Sequence, residues 1–257
     1  MINSIKIWQL TEIFLQVYKY YFKLKNMLIF KIQMKLYQII KYLIPITIKN
    51  FIKKKRLHNA IDNLDKKLNK FINYRNGFFI ECGANDGINQ SNTWFFEKKL
   101  NWKGLLVEPV PKLFKNLKKN RSNKNIFENV CLVGFNHKSK FINMTYDNCM
   151  SKITKNKNKN IIVKCSNLTD LLKKNKIKRT IDLFTLDVEG YESDVLNGIN
   201  FEKYKFKYFL IETKKFFKIK RYLNLRGYQF IKKLSRHDYL FKYSPKTNDY
   251  ISFYHNN

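Results

Sequence analysis

Acidic residues are scarce in this chain of 257 residues: 19 Asp and Glu stand against 51 Lys and Arg, so the formal net charge is +32. A field of that size attracts polyanions. The lysines are spread along the whole chain, however, and they accompany abundant Asn and Ile. We interpret the excess as a compositional bias and not as a binding patch, and we expect no specific nucleic-acid partner.

Cysteine is also rare. Its four copies are Cys82, Cys131, Cys149 and Cys165, and none forms a C-x-x-C pair, which excludes zinc-type spacing. No secretory signal is visible, so we expect reduced thiols in a cytoplasmic protein. Long apolar runs are missing as well. The least charged early stretch, residues 36–48, contains a lysine and a proline, and it is shorter than the roughly 18 apolar residues that a spanning helix needs.

The first 56 residues hold twelve Lys or Arg and a single acid, Glu12. Apolar and aromatic residues alternate with these lysines at a spacing typical of amphipathic helices. Such helices can lie on an anionic membrane surface, or they can pack on the rest of the chain or on a partner. Residues 59–73 also have helical periodicity, which ends at Asn76-Gly77. We therefore predict a basic helical extension over residues 1–75 and a second domain over 76–257.

From residue 76 onward, short apolar runs alternate with amphipathic ones. The predicted strands are residues 78–82, 104–108, 126–133, 161–165, 181–187, 208–212, 228–232, 239–243 and 250–254. The predicted helices are residues 91–100, a helix beginning at Pro111, and residues 168–174, 191–197 and 214–226. Residues 134–160, rich in Lys and Asn, are predicted to be irregular. This alternation is typical of an α/β, Rossmann-like fold with a mostly parallel sheet and helices on both faces.

Carboxylates stand at the ends of several predicted parallel strands. They are Glu81, Glu108, Asp187 with Glu189 close behind, and Glu212. Ligands of open parallel sheets bind beyond the carboxyl ends of the strands. With so few acids in the chain, this placement predicts a site at that edge of the sheet.

The loop after the first strand predicts a nucleoside site. It runs from Gly83 to Gly87 and includes Asn85 and Asp86, with Glu81 just before it. A dinucleotide fingerprint needs a third glycine, and a Walker-type G-K-[ST] motif is absent. Because acids flank the loop, a phosphate is disfavoured, whereas the cationic, phosphate-free S-adenosylmethionine fits.

Glu108, at the end of the next strand, is where an acid would bridge the ribose hydroxyls of such a nucleoside. Cys131 is a candidate to face the adenine. Asp187 would lie beside the cofactor, and together with Glu189 it could hold a substrate hydroxyl, act as a base or bind a cation. His237 is a further candidate base in a C-terminal loop. The alternative for the two acids is that one of them caps the following helix.

Two stretches resemble the FkbM family of methyltransferases: FFIECGANDGINQSNTWFFEKKLNWKGLLVEPVPKLFKNLKKNR at 78–121 and IDLFTLDVEGYESDVLNGI at 181–199. The resemblance covers roughly residues 58–243. It implies a class I methyltransferase fold whose seven-stranded sheet has its last strand antiparallel. It also implies S-adenosylmethionine held by the Gly83–Gly87 loop and Glu108, and methylation of an oxygen, often on a sugar of a glycan or glycosylated metabolite. Cys82 departs from the apolar residue usual at its position.

Two other functions stay open at this point. The charge favours a nucleic-acid methyltransferase, although no N-P-P-Y-like motif or Pro-Cys nucleophile is present. A membrane-peripheral scaffold that lost catalysis is the second, and the intact glycines and acids of the predicted site disfavour it. A dehydrogenase is set aside, because the third glycine is missing.

Overall fold

The computed structural model describes residues 31, 32, 35, 56–145, 152–153, 160–177 and 180–244. The chain divides into a unit of residues Met1–Ile52 and a unit of residues Lys53–Asn257. The predicted basic helices at 1–56 lie outside the described residues, apart from Lys31, Ile32 and Lys35, which are helical and exposed, and Arg56. None of the described helices has the length and apolar character to cross a bilayer.

Eleven strands are described within the second unit. They are β1 Phe78–Cys82, β2 Lys103–Val107, β3 Ile126–Glu128, β4 Cys131–Leu132, β5 Phe141–Thr145, β6 Lys152–Ile153, β7 Asn160–Ser166, β8 Thr180–Leu186, β9 Lys205–Glu212, β10 Tyr228–Lys233 and β11 Asp238–Tyr243. The central sheet has seven strands in the order β10-β11-β9-β8-β1-β2-β3. Only β11 runs against its neighbours β9 and β10. The predicted seven-stranded, mostly parallel sheet with an antiparallel last strand is confirmed.

Six α-helices within the described residues cover the two faces of this sheet. They are α1 Leu64–Asn69, α2 Trp94–Leu100, α3 Pro111–Asn120, α4 Leu168–Lys174, α5 Glu192–Leu196 and α6 Phe216–Asn224. Strand side chains alternate between the faces: Phe79 packs in a core with α1, α2 and α3, whereas Ile80 packs in a core with α4, α5 and α6. Pro111 begins α3 as predicted, since its fixed φ suits the first helical position.

The region after β3 differs from the prediction. The single strand expected at 126–133 is two short strands, because Asn129 Nδ2 donates to the carbonyls of Glu108 and Pro109 and turns the chain. Residues 134–160, predicted to be irregular, contain β5, which pairs antiparallel with β7 in a second sheet of order β4-β7-β5-β6. The prediction missed β5 because its five residues stand in a Lys- and Asn-rich stretch and only Met144 among them is buried.

The segment before β1 packs into the second unit. Leu64, Leu68 and Ile72 are buried in the core with α1, α2 and α3. The predicted extension over residues 1–75 includes these residues, and the compact unit that contains them starts at Lys53. The helix predicted over 59–73 is also interrupted: Asp62 and Asn63 have φ of 51° and 55°, so a 3₁₀ turn precedes a short α1.

Candidate active site

The carboxyl ends of β1, β2, β4 and β8 surround one cavity. The space between its lining atoms, including its open mouth, is about 950 Å³. Gly83 and Glu108 both line it. The prediction that the first loop and the acid after β2 share a cavity therefore agrees with the geometry.

Glu108 connects β2 to the loop after β1. Its side chain is only 4% exposed, and its two carboxylate oxygens accept hydrogen bonds from the backbone N–H groups of Asn85 and Val110, each at 2.9 Å. Burial raises the pKa of Glu108 to about 7, although both of these bonds oppose the shift. Each oxygen retains a further lone pair that can accept from a ligand hydroxyl.

Glu81 lines the same cavity, but its carboxylate is already surrounded by protein donors. Ser91 Oγ, Thr93 Oγ1 and the N–H of Asn92 all donate to it, at 2.5–3.1 Å. Arg121 Nη1 lies 3.2 Å from its Oε2, and the Arg121 side chain is fully buried. Glu81 thus orders the turn into α2 and neutralises an arginine, which leaves it little capacity for a direct bond to a cofactor.

The two loop glycines are required by protein packing. At Gly83, with φ of +83°, a Cβ atom would lie 2.1 Å from the carbonyl oxygen of Asp187. At Gly87, with φ of +80°, it would meet Leu117 and Arg121 at 2.6 and 2.7 Å. Gly83 lines the cavity, whereas Gly87 is not among its lining residues. Gly87 therefore serves the loop and not the ligand.

Of the other predicted cofactor residues, some line the cavity and one does not. Asn85 and Cys131 line the cavity. Burial raises the pKa of the Cys131 thiol to about 12, so it stays neutral, as a wall against an adenine ring requires. Asp86 is not a lining residue; its Oδ1 accepts from the N–H groups of Ile88 and Asn89 at 2.9 and 2.7 Å and closes a turn.

Asp187 and Glu189 line the cavity from the end of β8. Burial, and then the negative charge of Glu212, raise the pKa of Asp187 well above its ordinary value. Burial raises the pKa of Glu212 too, and the nearby Asp238 adds to the shift. Glu189 has a left-handed φ of 50°. Among the described residues, no group of three or more His, Cys, Asp or Glu could hold a metal ion.

A second cavity adjoins the first. Gln90, Asn92 and Asp187 line both of them. His237 lines only the second, from the turn between β10 and β11, and its backbone carbonyl accepts from Thr213 N–H at 2.9 Å. His237 is thus separated from the first cavity, but it lies in the space next to Asp187. The remaining lining residues of the second cavity are Ile61, Asp62, Leu64, Glu212, Ser235, Arg236 and Asp238.

Thr185 is a polar lining residue that the sequence did not point to. Thr185, two positions before Asp187 in β8, is 2% exposed, and its hydroxyl has no hydrogen-bond partner among the described residues. The only signal in the sequence was a single polar residue within an apolar strand, which does not show on which side the hydroxyl lies. Asn92 Oδ1, at the boundary of the two cavities, is a second buried polar atom without a partner in the described part of the chain.

Comparisons with known proteins place this geometry in context. Residues 81–239 match the family described as the methyltransferase FkbM domain. No curated protein matches the chain by sequence. Among solved structures, a methyltransferase from Geobacter sulfurreducens is 11% identical over 83% of this chain and 96% of its own, with a TM-score of 0.42.

Two further solved structures are similar at the same level. The METTL16 MTase domain is 13% identical over 71% of this chain and 66% of its own, with a TM-score of 0.43. The fibrillarin pre-rRNA processing protein of Methanococcus jannaschii is 14% identical over 67% and 69%, with a TM-score of 0.40. Likenesses of this size say nothing about the acceptor of this chain.

Proposed function

The chain belongs to the FkbM methyltransferase family, and from that premise we propose that it methylates a hydroxyl oxygen of a sugar, in a glycan or a glycosylated metabolite. That it is a methyltransferase whose cofactor is S-adenosylmethionine follows from the family itself. The oxygen and the sugar are the proposal.

The first cavity fits this cofactor. Glu108 presents carboxylate lone pairs for two ribose hydroxyls, and the neutral thiol of Cys131 lies among the apolar lining residues Val130 and Leu132. Asp187 and Glu189 also line this cavity, and acidic side chains suit the positive charges of the sulfonium and the amine. The bound cofactor supplies an electrophilic methyl group, so the protein has to position the acceptor and exclude water.

The observation that carries the proposal is the position of Asp187. It lines both the cofactor cavity and the adjoining one. A methyl group that leaves the first cavity for an acceptor in the second passes this carboxylate. Asp187 is therefore the best-placed candidate to orient an acceptor hydroxyl and to receive its proton.

The raised pKa of Asp187 supports that role. A base acts best when its pKa lies near the working pH, and burial together with Glu212 moves the pKa of Asp187 in that direction. Glu189, on the cofactor side, and His237, on the acceptor side, are the alternative bases. A positioned base contributes about 10²–10⁴-fold in rate.

The second cavity favours a neutral acceptor. Four acidic residues line it, Asp62, Asp187, Glu212 and Asp238, against one arginine, Arg236. Carboxyl groups hydrogen-bond to sugar hydroxyls in either protonation state, and the ionised ones repel phosphates. The one observation that favours a nucleic-acid acceptor, the net charge of +32, belongs to the whole chain and not to this cavity. A catalytically inactive scaffold would not need an acid between two cavities.

The test is methyl transfer from S-adenosylmethionine bearing a CD₃ group to two acceptor panels, neutral oligosaccharides and RNA, followed by mass spectrometry. The proposal expects a 17-dalton increase on a sugar hydroxyl and none on RNA, with the signal lost in Asp187→Asn. Transfer to RNA alone, resistant to added salt, would replace the sugar by a nucleic acid.

We propose that residues 1–56 contact an anionic membrane surface, because twelve positive charges stand against one acid there. Flotation of the full chain with vesicles of anionic and of zwitterionic lipid tests this, and equal flotation would contradict it. A cytoplasmic location, with or without that peripheral contact, is the matching prediction.

A further inference from the structure

The hydroxyl of Thr185 is buried and makes no hydrogen bond within the described part of the chain. Its side chain is 2% exposed, it lines the cofactor cavity, and its Oγ1 has no hydrogen-bond partner among the described residues. Buried hydroxyls are nearly always bonded, because an unpaired one forfeits its bonds to water. A buried donor and acceptor that faces a cavity is therefore available to a ligand.

The neighbouring groups do not compete for this hydroxyl. In the sheet register Thr185 lies directly opposite Glu81 of β1. Glu81 is nevertheless occupied by Ser91, Thr93, Asn92 and Arg121, and the hydroxyl of Thr185 is not among its donors. The network around Arg121 is complete without Thr185.

The position of Thr185 in the sheet indicates which end of the cofactor it would contact. Glu108 follows β2, and β1 lies between β2 and β8. Neighbouring strands are about 4.8 Å apart, so the backbones of β8 and β2 are about 10 Å apart. That span corresponds to the distance from the ribose of S-adenosylmethionine to its amino-acid end.

We propose that Thr185 Oγ1 accepts a hydrogen bond from the ammonium group of S-adenosylmethionine. The ammonium is preferred to the carboxylate of the same end because Asp187 and Glu189 line the adjacent wall. This inference rests on the proposed placement of the ribose at Glu108. It gives the cavity a contact for the amino-acid end, distinct from those for adenosine.

The test uses Thr185→Val, which removes the hydroxyl and keeps the side-chain shape, and Thr185→Ser, which keeps the hydroxyl. Calorimetry measures affinity for S-adenosylmethionine, for its decarboxylated form and for 5′-methylthioadenosine, which lacks the amino-acid end. We expect Thr185→Val to bind the first two about tenfold more weakly and the third unchanged, the size of a lost bond to a charged group. Thr185→Ser should stay within about twofold of the parent.

Thermal unfolding of the ligand-free protein separates binding from structure. If Thr185 serves a ligand, Thr185→Val is as stable as the parent or more stable, since an unpaired hydroxyl leaves the interior. A less stable Thr185→Val that binds all three probes equally weakly would overturn the inference, as would unchanged affinity for S-adenosylmethionine. A parent that binds S-adenosylmethionine but not 5′-methylthioadenosine, with Glu108→Gln unchanged, would contradict the ribose placement instead.

Discussion

Glu108, at the end of β2, accepts a 2.9 Å hydrogen bond from the backbone N–H of Asn85, in the loop after β1. The acid and the glycine-bounded loop are therefore one assembly. A ligand that bonds to the free lone pairs of Glu108 is held by a group that the loop itself orients. Binding and loop order are then coupled.

Loss of the Glu108 carboxylate should weaken cofactor binding. We expect Glu108→Ala to cost about 1–3 kcal/mol of binding free energy for S-adenosylmethionine, because two ribose hydroxyls lose an acceptor. Calorimetry measures the affinity. The control is Glu128→Gln, another buried acid at a strand end, which bonds Lys174 and Asn175 and is not a lining residue of the cavity. Equal affinity of Glu108→Ala and the parent would reject the ribose role.

The pKa of about 7 at Glu108 predicts opposite pH trends for affinity and stability. Affinity for S-adenosylmethionine should rise as pH increases through 7, because the ionised carboxylate is the better acceptor. The Glu108 carboxyl binds its proton more tightly in the folded state than in the unfolded state, where its pKa has the ordinary value of about 4.5. The stabilising contribution is thus complete below pH 4.5 and disappears as pH rises towards 7. Titrations of Glu108→Gln should lack both trends; if they persist, another group causes them.

Much of the fold was predictable from sequence because apolar periodicity marks buried strands. β1, β2 and β8 lie within one residue of their predicted bounds. The strand break at Asn129 was not predictable, since it depends on side-chain bonds to the distant carbonyls of Glu108 and Pro109.

The site was predictable to a similar extent. The strand-end rule correctly brought Glu108 and Asp187 to one cavity. It could not reveal that Glu81 faces Arg121 or that Asp86 closes a turn, because the same residue types serve loops and ligands. The role of Thr185 was not predictable, because the sequence does not show whether a buried hydroxyl has a partner.

Arg121 should be essential for stability. Its Nη1 lies 3.2 Å from Glu81 and its Nε 2.7 Å from Glu97, and all three side chains are buried. Arg121→Met would leave two buried carboxylates without their cation, at a cost of about 3–5 kcal/mol in urea unfolding. The matched control is Lys98→Met, which removes the more exposed partner of Glu97, 3.1 Å away, and should cost less than about 1 kcal/mol. Similar losses in the two variants would contradict the central role of Arg121.

The pair Asp187 and Glu212 should set the pH dependence of catalysis. The rate should rise with pH as Asp187 loses its proton, and Asp187→Asn should remove that limb along with about 10²–10⁴-fold in kcat. Glu212→Gln removes a neighbouring negative charge that raises the pKa of Asp187, so its rising limb should move to lower pH. A pH–rate profile measures both. If Asp187→Asn keeps the limb and His237→Gln loses it, His237 is the base.

Gly83 should tolerate no side chain. Gly83→Ala would bring a Cβ to within 2.1 Å of the Asp187 carbonyl oxygen, and we expect a loss of roughly 3 kcal/mol or more. Gly190 is the control, since its φ is +103° but no described atom lies within 4 Å of its Cβ position. Gly190→Ala should cost only the backbone strain, about 1–2 kcal/mol. Chemical unfolding of both variants measures the difference in stability. Equal losses of stability would mean that backbone strain, and not the clash with Asp187, causes the effect at Gly83.

One wall of the second cavity comes from Ile61, Asp62 and Leu64, which precede residue 81, where the family match begins. If that cavity receives the acceptor, residues outside the matched family domain contribute to acceptor specificity. Evolution could then retarget such an enzyme by exchanging one short stretch ahead of β1. The residues that line the cofactor cavity would not change in such an exchange.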